Sequence, residues 1–599
     1  MNLFTVGLII TLVTGAPVLW QLRKHPKGLF ILFFAEMWER FSYYGMRGLL
    51  VFYLTQHFLF SDDYSQGQYA AYTSLVYLLP VIGGFIADRF LGTRKAIVFG
   101  SLLLVAGHGM MAIEGAPAKQ LLQYGDSSYE FAISGRSANR QVRLMVDGAE
   151  YEFGATETGD LEIKDLPVTS TLPSVLAKGS YELTVEGRDK VDIFFLALAL
   201  IIMGVGFLKA NISSIVGQLY TEHDPRRDPG FTLYYYGINL GAFWSALLCG
   251  WLGMNVGWWA GFGLAGLGML LGLVVFILGK PLLEGHGEPP KPEVLKEKII
   301  GPINREWWIY ILGILGVGVV WLLVQRQEIV GWMLAIGTIG VLGYLFWFMF
   351  TQIGKVQRER MLLALIMVAA ATVFWTMFEQ AGSSMNLFAQ RNTELLYGVT
   401  AAQTQSFNAG FILLMAPLFS FIWAWLGSKD KDLSIPMKFA WSLILVGLGF
   451  LFLVWGGNFA NDAYRVPMIF LAGAYLLHTM GELFMSPVGL SMITRLSAAA
   501  VVSTMMAVWF LASSFAQYLG GMIAKMTSSE TVAGQVLDPK GSLETYLEVF
   551  QMIGIWAIGI GIFFMAISFF IKKWSHDEAD VNVDGFTKEE LKAKAASKA

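Results

Sequence analysis

Charged residues interrupt an apolar segment near the N-terminus, in the stretch Glu36-Met-Trp-Glu39-Arg40-Phe41-Ser-Tyr43-Tyr44-Gly45-Met-Arg47. The surrounding run, from Leu29 to Leu59, is long enough to cross a bilayer as a helix, which takes about 20 residues. Each ionised side chain at the centre of such a helix costs about 2.5–3.5 kcal/mol. At about 3.6 residues per turn, Glu36, Arg40, Tyr43 and Arg47 share one face. That face must line a wet cavity or meet buried partners, which is typical of helices along an ion or solute pathway.

The composition is that of a membrane protein. Of 599 residues, 55% are hydrophobic and only 15% are charged, whereas soluble domains carry about 25% charged residues. The net charge of −3 at pH 7 gives no reason to expect a nucleic-acid partner. The single cysteine, Cys249, excludes a disulfide within the chain and a multi-cysteine metal site.

Apolar segments suited to spanning a bilayer recur along the whole chain. They lie at about 3–20, 29–59, 68–90, 95–115, 191–220, 231–252, 257–280, 306–325, 330–352, 361–385, 404–427, 437–456, 465–494, 500–525 and 549–571. The short loops between them alternate between Lys/Arg-rich and Lys/Arg-poor. The positive-inside rule therefore predicts that the 29–59 helix enters from the cytoplasm and that the C-terminal tail is cytoplasmic.

Three segments differ from this array. Segment 3–20 lacks a preceding basic cluster, so we interpret it as an extra membrane helix with its N-terminus outside, an interfacial helix being the alternative. Segment 117–190 is polar, and alternation around Asp147-Gly148 predicts a hairpin of a small β domain on the outside face. Its sequence does not indicate a function, and a spacer or stabilising insertion is the favoured interpretation. The pair 306–325 and 330–352 carries no internal charge, which favours a lipid-facing position.

Few ionisable residues remain at membrane depth once the loops are set aside. They are Glu36, Glu39, Arg40, Arg47, Lys209, Glu379 and Glu482. Buried ion pairs stabilise a fold poorly compared with apolar packing, so a set of this size indicates a working site. A carboxyl group in a low dielectric holds a proton more readily, and a nearby cation opposes this. Such groups can take up or release a proton as their partners move, which predicts proton coupling.

A loop motif suggests an internal repeat. The stretch Gly84-Phe-Ile-Ala-Asp88-Arg89-Phe-Leu-Gly92-Thr-Arg94-Lys95 is similar to the loop motif of the major facilitator superfamily. Trp423-Ala-Trp-Leu-Gly427-Ser-Lys429 is a degenerate copy in the second half of the chain. A weak repeat of this kind predicts two six-helix halves.

Several motifs together resemble the bacterial proton-dependent oligopeptide transporters (POT/PTR family). The first-helix signature is Glu36-x-x-Glu39-Arg40-Phe41, and Phe231-Thr-Leu-Tyr-Tyr-Tyr-Gly-Ile-Asn239-Leu-Gly241 resembles the fifth-helix signature. Further matching segments are Phe-Leu-Lys209-x-Asn211, Phe374-Trp375…Glu379-Gln380 and Gly-Glu482…Ser486-Pro487. The resemblance runs from about residue 25 to residue 573, except for 117–190.

The resemblance implies an all-α polytopic membrane protein with the major facilitator fold: two six-helix bundles, two extra helices between them, an extra N-terminal helix and a small extracytoplasmic β domain. The expected organisation is an N-terminal membrane helix (1–27), helices 1–3 (28–116), a periplasmic β-rich insertion (117–190), helices 4–6 (191–281), a cytoplasmic linker (282–304), two additional helices (305–354), helices 7–12 (355–574) and a cytoplasmic tail (575–599).

The resemblance also implies a proton-coupled symporter that imports di- and tripeptides across the bacterial inner membrane by alternating access. Proton coupling would involve Glu36, Glu39, Arg40 and Lys209. Peptide binding would involve Arg40, Tyr43, Tyr44, Arg47, Tyr77, Lys209, Asn239, Trp375, Glu379, Asn408, Glu482, Ser486 and Trp509. Gating would involve Arg47, Glu379, Asp88 and Arg89. No cofactor or metal is expected besides the coupling proton, and the protein is expected to be monomeric.

Within these roles, Arg40, Arg47 and Lys209 would form the positive patch for the peptide carboxylate, and Glu482 would meet its amino group. The cations lie in the first half and Glu379 and Glu482 in the second, so a zwitterionic peptide would connect the two bundles.

Two departures from the family pattern stand out. Ala210 follows Lys209 where relatives usually have proline, which affects the local kink. The span 68–90 lacks the histidine of some animal members, so coupling should rest on carboxylates. We interpret His57 as a solvated residue at a loop edge.

Other functions remain possible from sequence alone. A symporter for another small zwitterionic or anionic solute, or a transport-dead peptide sensor, would retain much of the same pattern. An intramembrane enzyme is disfavoured, because no nucleophile, metal or phosphate-loop motif stands out.

Overall fold

The computed structural model describes residues 2–221, 224–429, 431–485, 489–576, 581, 585–587 and 589–590. Ser486, one of the residues expected to bind peptide, lies outside the described residues.

The first part of the chain is helical. Helix α1 (Leu3–Leu22) precedes an N-terminal bundle made of α2 (Lys27–Phe52), α3 (Asp62–Ile86), α4 (Thr93–Met111), α5 (Val191–Gln218), α6 (Arg227–Asn255) and α7 (Trp258–Leu278). π-Helical turns at Tyr53–His57 and Ala87–Leu91 extend α2 and α3.

Small residues set how closely these helices approach. A Cβ atom at Gly241 of α6 would overlap the Met37 carbonyl of α2, and one at Gly83 of α3 would overlap the Gly206 carbonyl of α5. Only glycine permits such contacts, as in other membrane helix pairs. The glycine of the fifth-helix signature therefore serves to bring α6 against α2, the helix that carries the charged stripe.

The insertion between α4 and α5 is a β domain. Its strands are β1 (Lys119–Tyr124), β2 (Ser127–Ser134), β3 (Gln141–Val146), β4 (Ala149–Tyr151), β5 (Phe153–Ala155), β6 (Leu161–Ile163), β7 (Val175–Leu176) and β8 (Glu182–Glu186). One antiparallel sheet has the order β4-β3-β2-β1-β8 and a second has the order β5-β6-β7. The predicted hairpin is confirmed: Val146 pairs with Ala149 across Asp147 (φ 51°) and Gly148 (φ 80°).

The linker and the two additional helices follow. They comprise α8 (Pro292–Lys296), a hairpin of β9 (Lys298–Ile300) and β10 (Ile303–Asn304), α9 (Arg305–Val324) and α10 (Gln327–Thr351). Much of the surface of α9 and α10 is exposed apolar side chain, including Leu315, Trp332 and Ile339. This agrees with the predicted lipid-facing position.

The C-terminal bundle contains more breaks than the sequence suggested. Its elements are α11 (Lys355–Phe378), α12 (Ser384–Arg391), β11 (Thr393–Glu394), α13 (Ser406–Gly427), α14 (Ile435–Gly456), β12 (Val466–Pro467), α15 (Met468–Met485), α16 (Gly489–Leu496), α17 (Val502–Lys525), a hairpin of β13 (Thr531–Val532) and β14 (Gln535–Val536), and α18 (Pro539–Ile571). The predicted span 361–385 breaks at the 3₁₀ turn Glu379–Gly382, where Gly382 and the two serines that follow it disfavour helix. The predicted span 465–494 divides into α15 and α16.

Within the described residues, 13 helices are long and apolar enough to cross a membrane. Helices α2 and α4 are not among these 13, but they pack against them in the N-terminal bundle. The protein is therefore a multi-pass membrane protein, and the expected fold of two helical bundles with additional helices and a small β domain is confirmed.

Helix α1 lies along the outside of both bundles, against α6 and α13. The Trp244 indole donates a hydrogen bond to Thr11 (2.9 Å), and the hydroxyls of Thr14 and Tyr236 are 2.8 Å apart. Because later residues of α1 meet earlier residues of α6, the two helices are antiparallel. This alignment favours a spanning helix over an interfacial one.

We call the end of the bundles that carries residues 112–190 the insertion end, and the end that carries 279–304 the linker end. The bundles contact each other where α3 packs along α17 and α6 along α13. Hydrogen bonds join them from the middle of the bundles to the insertion end: Ser514 Oγ donates to the Ser74 carbonyl midway along α3 (2.7 Å), and Gln403 Nε2 donates to the Leu247 carbonyl nearer the insertion end (3.1 Å). The bundles are thus closed against each other at the insertion end.

Candidate functional site

The charged stripe of α2 forms a compact cluster. Arg40 Nε donates to Glu36 Oε1 (2.8 Å) and lies 3.2 Å from Glu39 Oε2. Glu36 and Glu39 are each 1% exposed, and Arg40 is 8% exposed. Tyr234 of α6 lies beside Glu36. One guanidinium therefore serves two buried carboxylates, which leaves the cluster an excess of one negative charge when both are ionised.

Lys209 of α5 faces this cluster without joining it. Its Nζ atom lies 3.5 Å from the centroid of the Tyr77 ring, a cation–π contact. Glu36, Glu39 and Arg40 act on it electrostatically. Among the described residues, however, no carboxylate lies within ion-pair distance of Lys209. Its charge is therefore available to another anion.

Arg47 connects the bundles. It forms an ion pair with Glu379 at the break between α11 and α12, and its Nε donates to the Tyr69 hydroxyl (2.5 Å). Both members of the pair are more than nine-tenths buried. Tyr44 lies 5.7 Å from the Arg47 guanidinium, ring centroid to Cζ. The structure thus joins two of the expected gating residues, Arg47 and Glu379, in an ion pair across the bundles.

Glu482 of α15 is held by amides and hydroxyls. Asn408 Nδ2 donates to Glu482 Oε2 (3.1 Å) and to Thr479 Oγ1 (2.9 Å), and Tyr235 of α6 lies beside the carboxylate. In the described part of the chain, no Lys or Arg side chain pairs with Glu482, which is 8% exposed. The second half thus contributes a buried carboxylate that lacks a cation.

Tyr44 lies among the charged side chains of both bundles. Its hydroxyl is within electrostatic reach of Arg40 and Arg47 on its own helix and of Glu379 and Glu482 from the other bundle. The structure therefore brings the charges of both halves around one central region.

The remaining expected site residues occupy varied positions. Asn239 is 6% exposed and donates to the Tyr235 carbonyl of its own helix (3.0 Å). Tyr43 is 1% exposed, with its ring 5.2 Å from that of Tyr44, so it lies in the core in this conformation. Trp375 is half-buried among aromatic rings, 5.3 Å from Phe374.

Three others lie towards the linker end. Trp509 is half-buried next to Gly489 at the start of α16. Asp88 and Arg89 are exposed in the π-helical turn after α3, and Arg89 packs 5.9 Å from the Phe85 ring. These two residues are therefore remote from the insertion end, where the bundles are closed.

The interpretation of His57 as solvated is wrong. His57 is 1% exposed, its ring stacks on Tyr53 at 4.5 Å, and its Nδ1 lies 3.7 Å from Glu114. The segment that forms the insertion packs on this residue: Ala118 N donates to the His57 carbonyl (2.8 Å), and Arg136 acts electrostatically on the ring.

Sequence reasoning missed a second pair between the bundles. Arg391 at the end of α12 binds Asp62 at the start of α3 in a bidentate manner, with distances of 2.5 and 2.7 Å, and both side chains are more than nine-tenths buried. The Ser529 amide also donates to Asp62 (2.9 Å). Both residues flank apolar runs, where charges ordinarily belong to solvated loops, so local sequence carried no signal of their pairing.

Comparison with known proteins agrees with this architecture. The family profile described as "PTR2: POT family" matches residues 94–538. The "Uncharacterized transporter YclF" of Bacillus subtilis is 31% identical over 84% of this chain and 88% of its own length. The "Dipeptide and tripeptide permease A" of Proteus mirabilis is 30% identical over 89% and 92%, respectively.

A solved structure gives the same result. The crystal structure of a mutant of peptide transporter POT in complex with alafosfalin is 30% identical, with a TM-score of 0.68 over 92% of this chain and 96% of that one. The family profile matches most of the chain, which also has the charged helix α2 and the two bundles. The chain therefore belongs to the POT family.

Proposed function

We propose that this protein is a proton-coupled symporter that imports di- and tripeptides by alternating access. The observation that carries the proposal is the pair of unmatched buried charges, Lys209 in the N-terminal bundle and Glu482 in the C-terminal bundle. A short peptide at neutral pH has a carboxylate at one end and an ammonium group at the other. Such a zwitterion complements both charges at once, and its binding would draw the bundles together.

The similarity to permeases named for dipeptides and tripeptides supports this choice of substrate. Peptide binding by Arg40, Tyr44, Arg47 and Lys209 on one side and by Asn408 and Glu482 on the other follows from their shared central region. The roles of Tyr43, Tyr77, Asn239, Trp375, Ser486 and Trp509 in peptide binding belong to the same proposal.

Proton coupling would use the α2 cluster. Arg40 contacts both Glu36 and Glu39, and the weaker contact, at 3.2 Å, is to Glu39. A proton on Glu39 would remove one of the two negative charges that hold Arg40, and would free Arg40 and Lys209 to receive a peptide carboxylate. Release of the proton would restore the pairing and expel the carboxylate. Enzymatic chemistry plays no part in this cycle.

Gating would alternate between the two ends of the bundles. The pairs Arg47–Glu379 and Arg391–Asp62 hold the insertion end closed here. Asp88 and Arg89 at the linker end would serve the opposite conformation. Closure of the insertion end, which the basic loops predict to face the periplasm, supports a conformation that is closed to the periplasm. We expect the functional unit to be a monomer in the inner membrane.

The test is uptake of labelled dialanine into proteoliposomes under an imposed inward proton gradient and membrane potential, with and without a protonophore. Concentrative uptake that collapses with the protonophore is expected. Folded protein that takes up no peptide under any gradient would contradict the proposal and favour another solute or a sensor.

A further inference from the structure

A polar cleft of about 470 Å³ separates the β insertion from the C-terminal bundle at the insertion end. One wall comes from β3, β5 and the segment after β6, and the opposite wall comes from α12, the start of α18 and the β13–β14 hairpin. Its volume is in the range of sites that bind small molecules, about 300–1,000 Å³.

The charged residues of the cleft are mostly basic. They are Arg140, Arg143, Lys164, Arg391, Arg465 and Glu152, and the other lining residues are neutral. Arg391 is neutralised by Asp62, and Arg143 lies 3.6 Å from Glu152.

After these two pairs are set aside, Arg140, Lys164 and Arg465 remain. In the part of the chain that the structure describes, none of these three forms an ion pair. The cleft therefore contains three positive charges without an acidic partner.

Arg140 is fixed in the cleft. Its Nη2 donates to the Ala533 carbonyl of the β13–β14 hairpin (2.5 Å), which leaves the rest of its guanidinium free to bind a ligand. Burial lowers the pKa of Arg140 to about 10, so the group is still charged at neutral pH but poorly solvated. A bound oxyanion would restore the interactions that burial removes.

We propose that this cleft binds a compact oxyanion with two or three negative charges, which bridges the β insertion and the C-terminal bundle. Arg140 and Lys164 belong to the insertion, whereas Arg465 lies between α14 and α15. An anion that contacts all three cations binds best when the insertion packs on the C-terminal bundle. By linkage, the bound anion stabilises the conformation in which the insertion end is closed.

The insertion is suited to transmit this effect, because it is joined to both bundles. Arg188 donates to the carbonyls of Phe58 and Leu59 (2.8 and 2.9 Å) after α2. On the other side, Val532 and Ala533 of the hairpin belong to the hydrophobic core of the insertion. Separation of the bundles at this end must therefore break the insertion's contacts with one of them.

The experiment is isothermal titration of the full-length protein in detergent with citrate, in buffer of physiological ionic strength. We expect a Kd of about 1 mM or tighter, and at least a tenfold loss of affinity in the double variant Lys164→Gln/Arg465→Gln. Both side chains are exposed, so the unliganded variant should keep the wild-type melting temperature. Lys119→Gln/Lys190→Gln removes the same number of charges from exposed positions on the insertion outside the cleft; it is the matched control and should bind citrate normally.

A second arm distinguishes a free anion from a lipid headgroup. The protein is placed in nanodiscs with or without phosphatidic acid, whose phosphomonoester headgroup carries up to two negative charges, and citrate is titrated again. Weaker citrate binding with phosphatidic acid than without it identifies the headgroup as the occupant; equal binding identifies a free anion. The proposal is overturned if citrate at about 10 mM does not bind, or if the double variant binds it as well as the wild type.

Discussion

Two buried ion pairs cross between the bundles, whereas the other charges buried at the centre are paired within one helix or have no partner of opposite charge among the described residues. Arg47 binds Glu379 and Arg391 binds Asp62, each pair joining the two halves. At the centre, Glu36, Glu39 and Arg40 pair within α2. Among the described residues, Lys209 and Glu482 form no ion pair, although Glu379 of the other bundle acts electrostatically on Lys209 and Tyr235 of the other bundle lies beside Glu482.

The two kinds of site have different roles: ion pairs across the bundles keep the bundles together, and charges without a partner bind a ligand. Loss of one partner from a buried ion pair costs about 3–5 kcal/mol, so pairs across the bundles oppose their separation. A buried charge without a counterion is unfavourable by itself, so its presence indicates a ligand that compensates it. Breaking the two kinds of site should therefore produce different defects.

The largest effect is expected from loss of Lys209. A membrane potential supplies about 2.3 kcal/mol per charge per 100 mV and a pH unit about 1.36 kcal/mol, so one proton could drive accumulation of about 500-fold. Lys209→Ala should reduce the accumulation ratio to about 1, because the α2 cluster loses the cation that responds to its protonation. The measurement is gradient-driven dialanine uptake in proteoliposomes.

Peptide exchange across the membrane, measured as counterflow, is the control for Lys209→Ala. Peptide counterflow needs binding and conformational change but no net proton movement, so Lys209→Ala and Glu39→Gln should retain part of it. Lys209→Arg keeps the cation that responds to the α2 cluster, so it should retain more concentrative uptake than Lys209→Ala. Loss of counterflow together with uptake in Lys209→Ala and Glu39→Gln would argue against a coupling role.

A second large effect on transport is expected from the other unmatched charge. Glu482→Gln keeps the hydrogen-bonding shape around Asn408 but removes the charge that meets a peptide ammonium group. Affinity for dialanine should fall about 10- to 100-fold, within the about 1.5–3 kcal/mol of a charge-assisted hydrogen bond. N-acetyl-dialanine, which lacks the ammonium group, should lose less. Competition against labelled dialanine measures both, and equal losses would remove the assigned role.

The pair Arg391–Asp62 tests whether buried ion pairs across the bundles keep the insertion end closed. Arg391→Gln leaves a buried carboxylate uncompensated, so the equilibrium should shift towards separation of the bundles at the insertion end by up to about 3–5 kcal/mol. Spin labels at Val256→Cys and Tyr397→Cys, both exposed and on different bundles, would report a longer distance. The native Cys249 is buried and should not react.

The double variant Asp62→Asn/Arg391→Gln sharpens this result. Because it removes both charges, it should shift the distance less than either single variant does. An unchanged distance in Arg391→Gln would mean that the pair does not hold the bundles together.

The helical architecture could be predicted from the sequence, because an apolar span of about 20 residues and a charge within it can be recognised from neighbouring residues alone. The motif containing Glu36, Glu39 and Arg40 predicted a cluster that the structure contains. The Arg391–Asp62 pair could not be predicted in this way. Its members are 329 positions apart, and each lies at a helix terminus, where a charge is ordinarily solvated. Similarly, burial of His57 depends on the β insertion folding over it, which no pattern around residue 57 reveals.

The smallest effect is expected from a pair that also joins the bundles but is open to solvent. Lys525 Nζ lies 3.3 Å from Asp63 Oδ2, and the Asp63 side chain is 63% exposed. Exposed pairs contribute about 0–1 kcal/mol, so Lys525→Gln should leave the spin-label distance and dialanine uptake within about twofold of wild type. Asp63 directly follows Asp62, so the two pairs differ mainly in burial. A shift in Lys525→Gln as large as that in Arg391→Gln would mean that the number of charges across the interface, rather than their burial, keeps this end closed.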